Sequence, residues 1–296
     1  MSADVLGVHG IWNRRDTTAT DAETTFARRW AGALAMESVA VAYYADHLRL
    51  GYHGPGEDLD ALDDALDGMP RQLLEAWVAE LGWEGGTAHG RALAPLRQLV
   101  SWLVTRCGAD RTIVVPFVSE FLEEVALYLD PRDPSKRQAV RSTVARAIHE
   151  HRPRIVVAHS LGSVVTYETL WAYPRLTVEL LVTIGSPLAM PNAIFPLLQP
   201  APVDDMGARP HGVRRWVNVA DPSDLVAIPR PLSNKFDGVD EDLEWPVGWW
   251  FTHAADAYLS SRAYMTSSVP ISDRHVSADT FCGRNQQPPA FEPGGR

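Results

Sequence analysis

The segment Ala158-His159-Ser160-Leu161-Gly162 sets a serine between two small residues, the spacing of a sharp strand-to-helix turn that lifts a hydroxyl clear of the backbone. Such a turn crowds the main chain, so the positions flanking the serine can carry almost no side chain, and Ala158 and Gly162 meet that demand. A hydroxyl held there stands at the positive end of the next helix, where the Leu161 amide can face a developing oxyanion. The chemistry open to it is nucleophilic attack on an acyl carbonyl. A five-residue match arises often by chance, and the plainer reading is a serine that only caps a helix. Context favours the chemical reading, because Ile155-Val156-Val157 before the turn is a buried-strand signal and Val165 and Leu170 after it mark a helix.

Elements that could position this turn recur along the chain. Val5–Val8 reads as a strand running into His9-Gly10-Ile11-Trp12, followed by a helix over 21–35 with Phe26, Trp30 and Leu34 on one face. A second strand is expected over 39–44. Residues 46–131 break the alternation and read as a helical insertion, a possible cap, with Gly-rich breaks at 51–56 and 82–90. The rhythm resumes with a helix opened by Asp133-Pro134 through Val140, Val144 and Ile148, and strands at 154–158, Val178–Ile184 and Val213–Ala220. Strands alternating with helices predict an α/β fold with a mostly parallel central sheet flanked by helices. One domain over 1–296 with a frayed tail at 286–296 is the simplest division.

The run IVVAHSLGSVVTY over 155–167, together with VHG at 8–10 and IGSPL at 184–188, resembles the lipase and serine-esterase branch of the α/β-hydrolase superfamily. The resemblance covers the sheet and its loops and leaves 46–131 unassigned. It implies a serine hydrolase cleaving an acyl ester through a Ser-His-Asp triad and an acyl-enzyme, with no cofactor and a small-molecule acyl substrate. It also implies a second oxyanion amide just after the His-Gly pair, at Ile11 with Trp12 as the alternative. His9 itself reads as a turn histidine bonded to backbone. The family order of serine, then acid, then base places the acid after the strand ending at Ala220, a few residues on and just before x-Val, which fits Asp224-Leu225-Val226. Asp221 is the alternative, although a position directly before Pro222 suits a turn-forming carboxylate.

Two late histidines are available as the base, His253 and His275. His253 follows Trp249-Trp250-Phe251, which reads as a last strand, and precedes a helix over 254–264. His275 leads into a polar, Pro-rich end that offers no anchor, so its plainer reading is a surface histidine. The other histidines fall in loops or at helix ends and form no metal-type pair; His149 and His151 do not share a helix face.

The same triad serves thioesterases, acyltransferases and peptidases, so these remain open beside a carboxylesterase or lipase-like activity. A catalytically silent binding protein on the same fold is the third class. The sequence of 296 residues is 46% hydrophobic and carries a net charge of -10, which argues against nucleic acid or an anionic membrane as a partner. No G-x-G-x-x-G or Walker-type loop points to a dinucleotide or nucleoside triphosphate. No stretch has the length of a transmembrane segment, and the N-terminus lacks a signal-peptide pattern. Cys107 and Cys282 read as free thiols of a reducing compartment, so a cytoplasmic location is expected. In the insertion, Trp77, Trp83, Trp102, Phe117 and Phe121 could line an acyl pocket, although aromatic residues at helical spacing more often form core.

Overall fold

Strands buried on both faces need runs of apolar residues, and the central strands of this chain have them. In the computed structural model, which describes residues 4–11, 13, 18–48, 68–81, 95–107, 110–247 and 253–261, all within Met1–Tyr264, β1 (Val5–Val8) is buried throughout. Helix α1 (Ala19–Leu34) follows, and β2 (Ala40–Ala42) pairs with β1 in parallel. Three helices come next, α2 (Met69–Glu80), α3 (Pro95–Cys107) and α4 (Arg111–Leu129), and then α5 (Pro134–His151). After β3 (Ile155–His159) come α6 (Leu161–Ala172), β4 (Val178–Ile184), β5 (Gly207–Ala208), β6 (Val213–Ala220), β7 (Phe236–Asp237), β8 (Glu241–Glu244) and α7 (Ala255–Ser261).

Six strands form one sheet in the order β2-β1-β3-β4-β6-β8, every pair parallel, while β5 and β7 make a small second sheet. The fold is therefore α/β with a central parallel sheet flanked by helices, an architecture consistent with an α/β-hydrolase-like fold. The chain steps from β1 out to β2 and then returns to β3 on the other side of β1. Loops leaving β1 and β3 diverge at this reversal, which opens a crevice at their carboxyl ends, the place where open parallel sheets hold their ligands.

Local chemistry explains the main elements. Thr18 caps α1: its Oγ1 accepts from the Asp21 amide at 3.1 Å and donates to the Asp21 carboxylate at 2.7 Å. Gly7 lets α1 lie on β1, since a Cβ there would stand 2.4 Å from the Trp30 ring. Asp133 caps α5 ahead of Pro134, accepting from the Ser135 amide. A buried ion pair ties α4, α5 and α6 together: Arg137 Nε donates to Glu168 Oε2 at 2.8 Å, and the Tyr128 hydroxyl donates to the same oxygen at 2.7 Å.

Expected strands at 178–184 and 213–220 are where the sequence placed them, and the helical character of 46–131 holds in α2, α3 and α4. Its two Gly-rich breaks, the tail at 286–296 and the strand expected at Trp249-Trp250-Phe251 lie outside the described residues. The last described strand is β8, whose sequence EDLE carries no apolar alternation. It sits at the sheet edge, where polar side chains stay wet and find partners: Asp242 Oδ1 accepts from Asn218 Nδ2 at 2.8 Å, and Glu241 pairs with Arg215. Among the described residues no helix is long and apolar enough to cross a membrane.

Candidate active site

Ser160 stands between β3 and α6 with φ 52° and ψ −129°, a backbone region that costs a non-glycine residue about 1–3 kcal/mol. Neighbouring backbone holds it there. Its amide donates to the Ile184 carbonyl at 3.1 Å, and its own carbonyl accepts from the Ser163 amide at 2.9 Å and the Ser163 hydroxyl at 2.6 Å. Gly162 is obligatory for the same turn, because a Cβ there would lie 2.3 Å from the His9 carbonyl oxygen. The serine side chain makes no capping bond to α6. It meets an imidazole instead, with Ser160 Oγ 2.8 Å from His253 Nε2.

The other ring nitrogen of His253 lies 2.9 Å and 3.0 Å from the two carboxylate oxygens of Asp224. A carboxylate only accepts, so Nδ1 carries the proton and Nε2 is left bare to receive one from the serine. Asp224 takes two further donors, the Tyr258 hydroxyl at 2.7 Å and the Val226 amide at 2.9 Å. Burial alone would raise its pKa, but the charge of a protonated His253 and these hydrogen bonds outweigh that and bring it to about 2. Asp224 is thus ionised at neutral pH. The Asp221 carboxylate is engaged elsewhere: it accepts from the Ser223 and Val247 amides, each at 2.6 Å, as a turn-forming aspartate does.

Ile11 is buried, and its loop is pressed against the serine, since a Cβ on Gly10 would lie 2.6 Å from Ser160 Cβ. Asn13, which the sequence did not single out, braces that loop: its Nδ2 donates to the Ile11 carbonyl at 2.7 Å and the Gly10 carbonyl at 2.9 Å. As the first residue of α6, Leu161 has an amide with no intrahelical acceptor. Trp12 and His275 lie outside the described residues. His9 is a backbone-bonded turn histidine, as expected. Its Nε2 accepts from the Tyr44 amide at 3.1 Å and its Nδ1 donates to the Gly10 carbonyl at 2.7 Å. Burial lowers its pKa to about 4, which keeps it neutral.

Besides Asn13, three residues of this site were not legible beforehand. Tyr258 on α7 holds both aspartates, donating to Asp224 and accepting from the Asp221 amide at 2.9 Å. Gly185 has φ 56°, and a Cβ there would come within 3.0 Å of Asp224 Oδ2, so only glycine lets the end of β4 pass beneath the carboxylate. His159 donates through Nε2 to the His253 backbone carbonyl at 2.7 Å and so pins the loop carrying that imidazole. Burial first, then the charge of a protonated His253, lower its pKa to about 3. The IGSPL stretch over 184–188 could have pointed to Gly185; nothing in the sequence marked Tyr258.

Ser160 and Asp224 are fully buried, and a cavity of about 200 Å³ opens beside His253, lined by His9, Ile11, Asn13, Phe117 and His159 among others. Phe117 of α4 meets the His253 ring edge-on, with centroids 5.5 Å apart. Trp77 donates through its ring N–H to the Leu225 carbonyl at 2.8 Å and stacks at a tilt on Phe121. Both are core. Of the five aromatic residues expected as pocket candidates, Phe117 lines the cavity, Trp102 is half-buried and Trp83 lies outside the described residues. No group of His, Cys, Asp and Glu among the described residues is placed to hold a metal ion.

Comparison of the chain with family profiles, with curated proteins and with solved structures finds no match.

Proposed function

We propose that this chain is a serine hydrolase of the α/β-hydrolase superfamily that cleaves acyl esters, with Ser160 as nucleophile, His253 as base and Asp224 as the acid that orients it. The observation that carries the reading is the continuous hydrogen-bond line from Ser160 Oγ to His253 Nε2 and from His253 Nδ1 to Asp224, mounted on a serine with positive φ. A structural serine has no need of that backbone conformation.

In the proposed reaction Ser160 Oγ attacks the acyl carbonyl carbon while His253 Nε2 takes its proton. The carbonyl oxygen becomes an oxyanion held by the Leu161 and Ile11 amides. His253, now a cation against the ionised Asp224, returns the proton to the departing alcohol oxygen as the carbon–oxygen bond breaks, leaving an acyl-enzyme. Water activated by the same imidazole attacks next and releases the acid. Helix α4 covers the site in this scheme: it sets Phe117 against His253, so substrate reaches the buried serine when this cover gives way.

Turnover of p-nitrophenyl esters of graded chain length, measured beside acyl thioesters and peptides, tests this reading. Ester hydrolysis lost in Ser160→Ala is expected. Preference for thioester or peptide keeps the triad and moves the substrate class, whereas equal rates for wild type and Ser160→Ala contradict the assignment.

A further inference from the structure

Chemistry at the carboxyl edge of the sheet leaves the opposite, amino edge unexplained. There a groove of about 630 Å³ is bordered by the turns that lead into β3, β4 and β6. Each turn delivers arginine: Arg152 and Arg154 before β3, Arg175 before β4 and Arg214 in β6, with His149 and His211 beside them. Among the described residues Glu179 is the one carboxylate on the lining. It bonds Arg154, with Nη2 to Oε2 at 2.7 Å, and Arg154 and then Arg214 lower its pKa. Arg152, Arg175 and Arg214 make no ion pair among the described residues, and all three are exposed.

Part of this cationic character is ordinary. Helix α5 ends at His151, and Arg152 as its C-cap complements the negative end of the helix dipole. The helix dipole does not explain Arg175, which comes from the loop before β4, or Arg214, which stands at the start of β6. The turns into β4 and β6 are drawn together by backbone fit: Gly212 approaches the Leu176 carbonyl so closely that a Cβ would stand 2.0 Å from its oxygen. The result is four arginines bordering one concavity, Arg154 paired with Glu179 and the other three not, in a chain whose net charge is -10.

We propose that this groove binds a compact polyphosphate group, free or carried by a nucleotide. Guanidinium forks match phosphate oxygens in geometry and charge. The volume lies in the range of small-ligand sites. An extended polyanion such as a duplex or an anionic vesicle would also meet the acidic remainder of the molecule, and only a compact ligand sees the groove alone. The site is independent of Ser160, which lies at the other end of the strands.

The experiment is calorimetric titration of the full chain with inorganic tripolyphosphate, and with ATP in a second arm, at fixed ionic strength. Saturable binding is expected that weakens by about tenfold or more in the Arg152→Ala/Arg175→Ala/Arg214→Ala variant and survives in Ser160→Ala. Tighter binding of ATP than of tripolyphosphate assigns the group to a nucleotide; equal binding assigns it to free polyphosphate. The Arg152→Lys/Arg175→Lys/Arg214→Lys variant keeps the charge and should retain more affinity than the alanine variant, which separates lost recognition from lost folding. Absence of saturable binding to wild type, competition by an equal concentration of sulfate, or preference for a duplex or anionic vesicle would each overturn the proposal.

Discussion

Helix α6 carries two buried polar networks, one at its start and one two turns on, and they differ in what faces the carboxylate. Glu168 faces a permanent cation. Its Oε2 accepts from Arg137 Nε and the Tyr128 hydroxyl, and its Oε1 accepts from the Gln199 amide at 3.0 Å as well as from Arg137. Asp224 faces an imidazole that becomes a cation only on taking a proton. Both carboxylates are fully buried and fully bonded, so burial alone does not distinguish them. The Glu168 network is complete at rest. In the Ser160 network the charge balance would be completed by the proton transfer of the proposed reaction, as general base catalysis requires.

Removing each network should therefore be felt in a different quantity. Asp224→Asn takes away the carboxylate that fixes the His253 tautomer, and ester turnover should fall by about 10⁴-fold in a folded protein, measured as kcat on a p-nitrophenyl ester. Asp221→Asn should do far less, and the reverse ranking would move the acid. Glu168→Ala strands Arg137 in the interior and should cost about 3–5 kcal/mol in urea unfolding, with the residual folded fraction still turning over substrate. Ser160→Ala should change stability by less than about 1 kcal/mol, because it removes one hydroxyl and leaves no buried charge unpaired. If Ser160→Ala destabilised the chain as much as Glu168→Ala does, both networks would be structural and the comparison would fail.

Much of this was readable from residue type and spacing, for identifiable reasons. The turn around Ser160 announces itself because steric demand selects small residues at Ala158 and Gly162, and the buried strands announce themselves through β-branched runs. Asp224 and His253 were each one of two candidates, since chain order restricts where an acid and a base can lie but not which side chain the fold aims inward. Strand β8 was missed because an edge strand need not be apolar. Tyr258 was missed because a hydroxyl that orients a carboxylate across 34 residues leaves no local pattern.

Acid should expose a further contrast. His9 and His159 have folded-state pKa values near 4 and 3, against 6.5 in an unfolded chain. As pH falls below 6.5 the unfolded chain binds protons that these buried rings refuse, so stability is lost by about 1.4 kcal/mol per pH unit for each ring until its folded value is reached. Asp224 acts in a lower window: its stabilising contribution is present above its ordinary pKa of 3.8 and is lost as pH falls toward about 2. Urea midpoints at pH 7 and pH 5 should show the histidine loss, and His159→Gln should flatten it. An unchanged slope in that variant would mean that His159 is not held neutral by burial. The smallest effect is expected at Tyr258→Phe, which removes one of the donors to Asp224 and should lower kcat by about tenfold or less, with the pH profile of kcat shifted.

Labelling with a fluorophosphonate probe reads the central claim most directly, because only an activated serine attacks the phosphorus and displaces fluoride. Peptide mapping of the wild-type chain should find a single adduct on Ser160, absent in Ser160→Ala and formed far more slowly in His253→Ala. A wild-type chain that stays unlabelled, or an adduct on another serine that persists in Ser160→Ala, would contradict it.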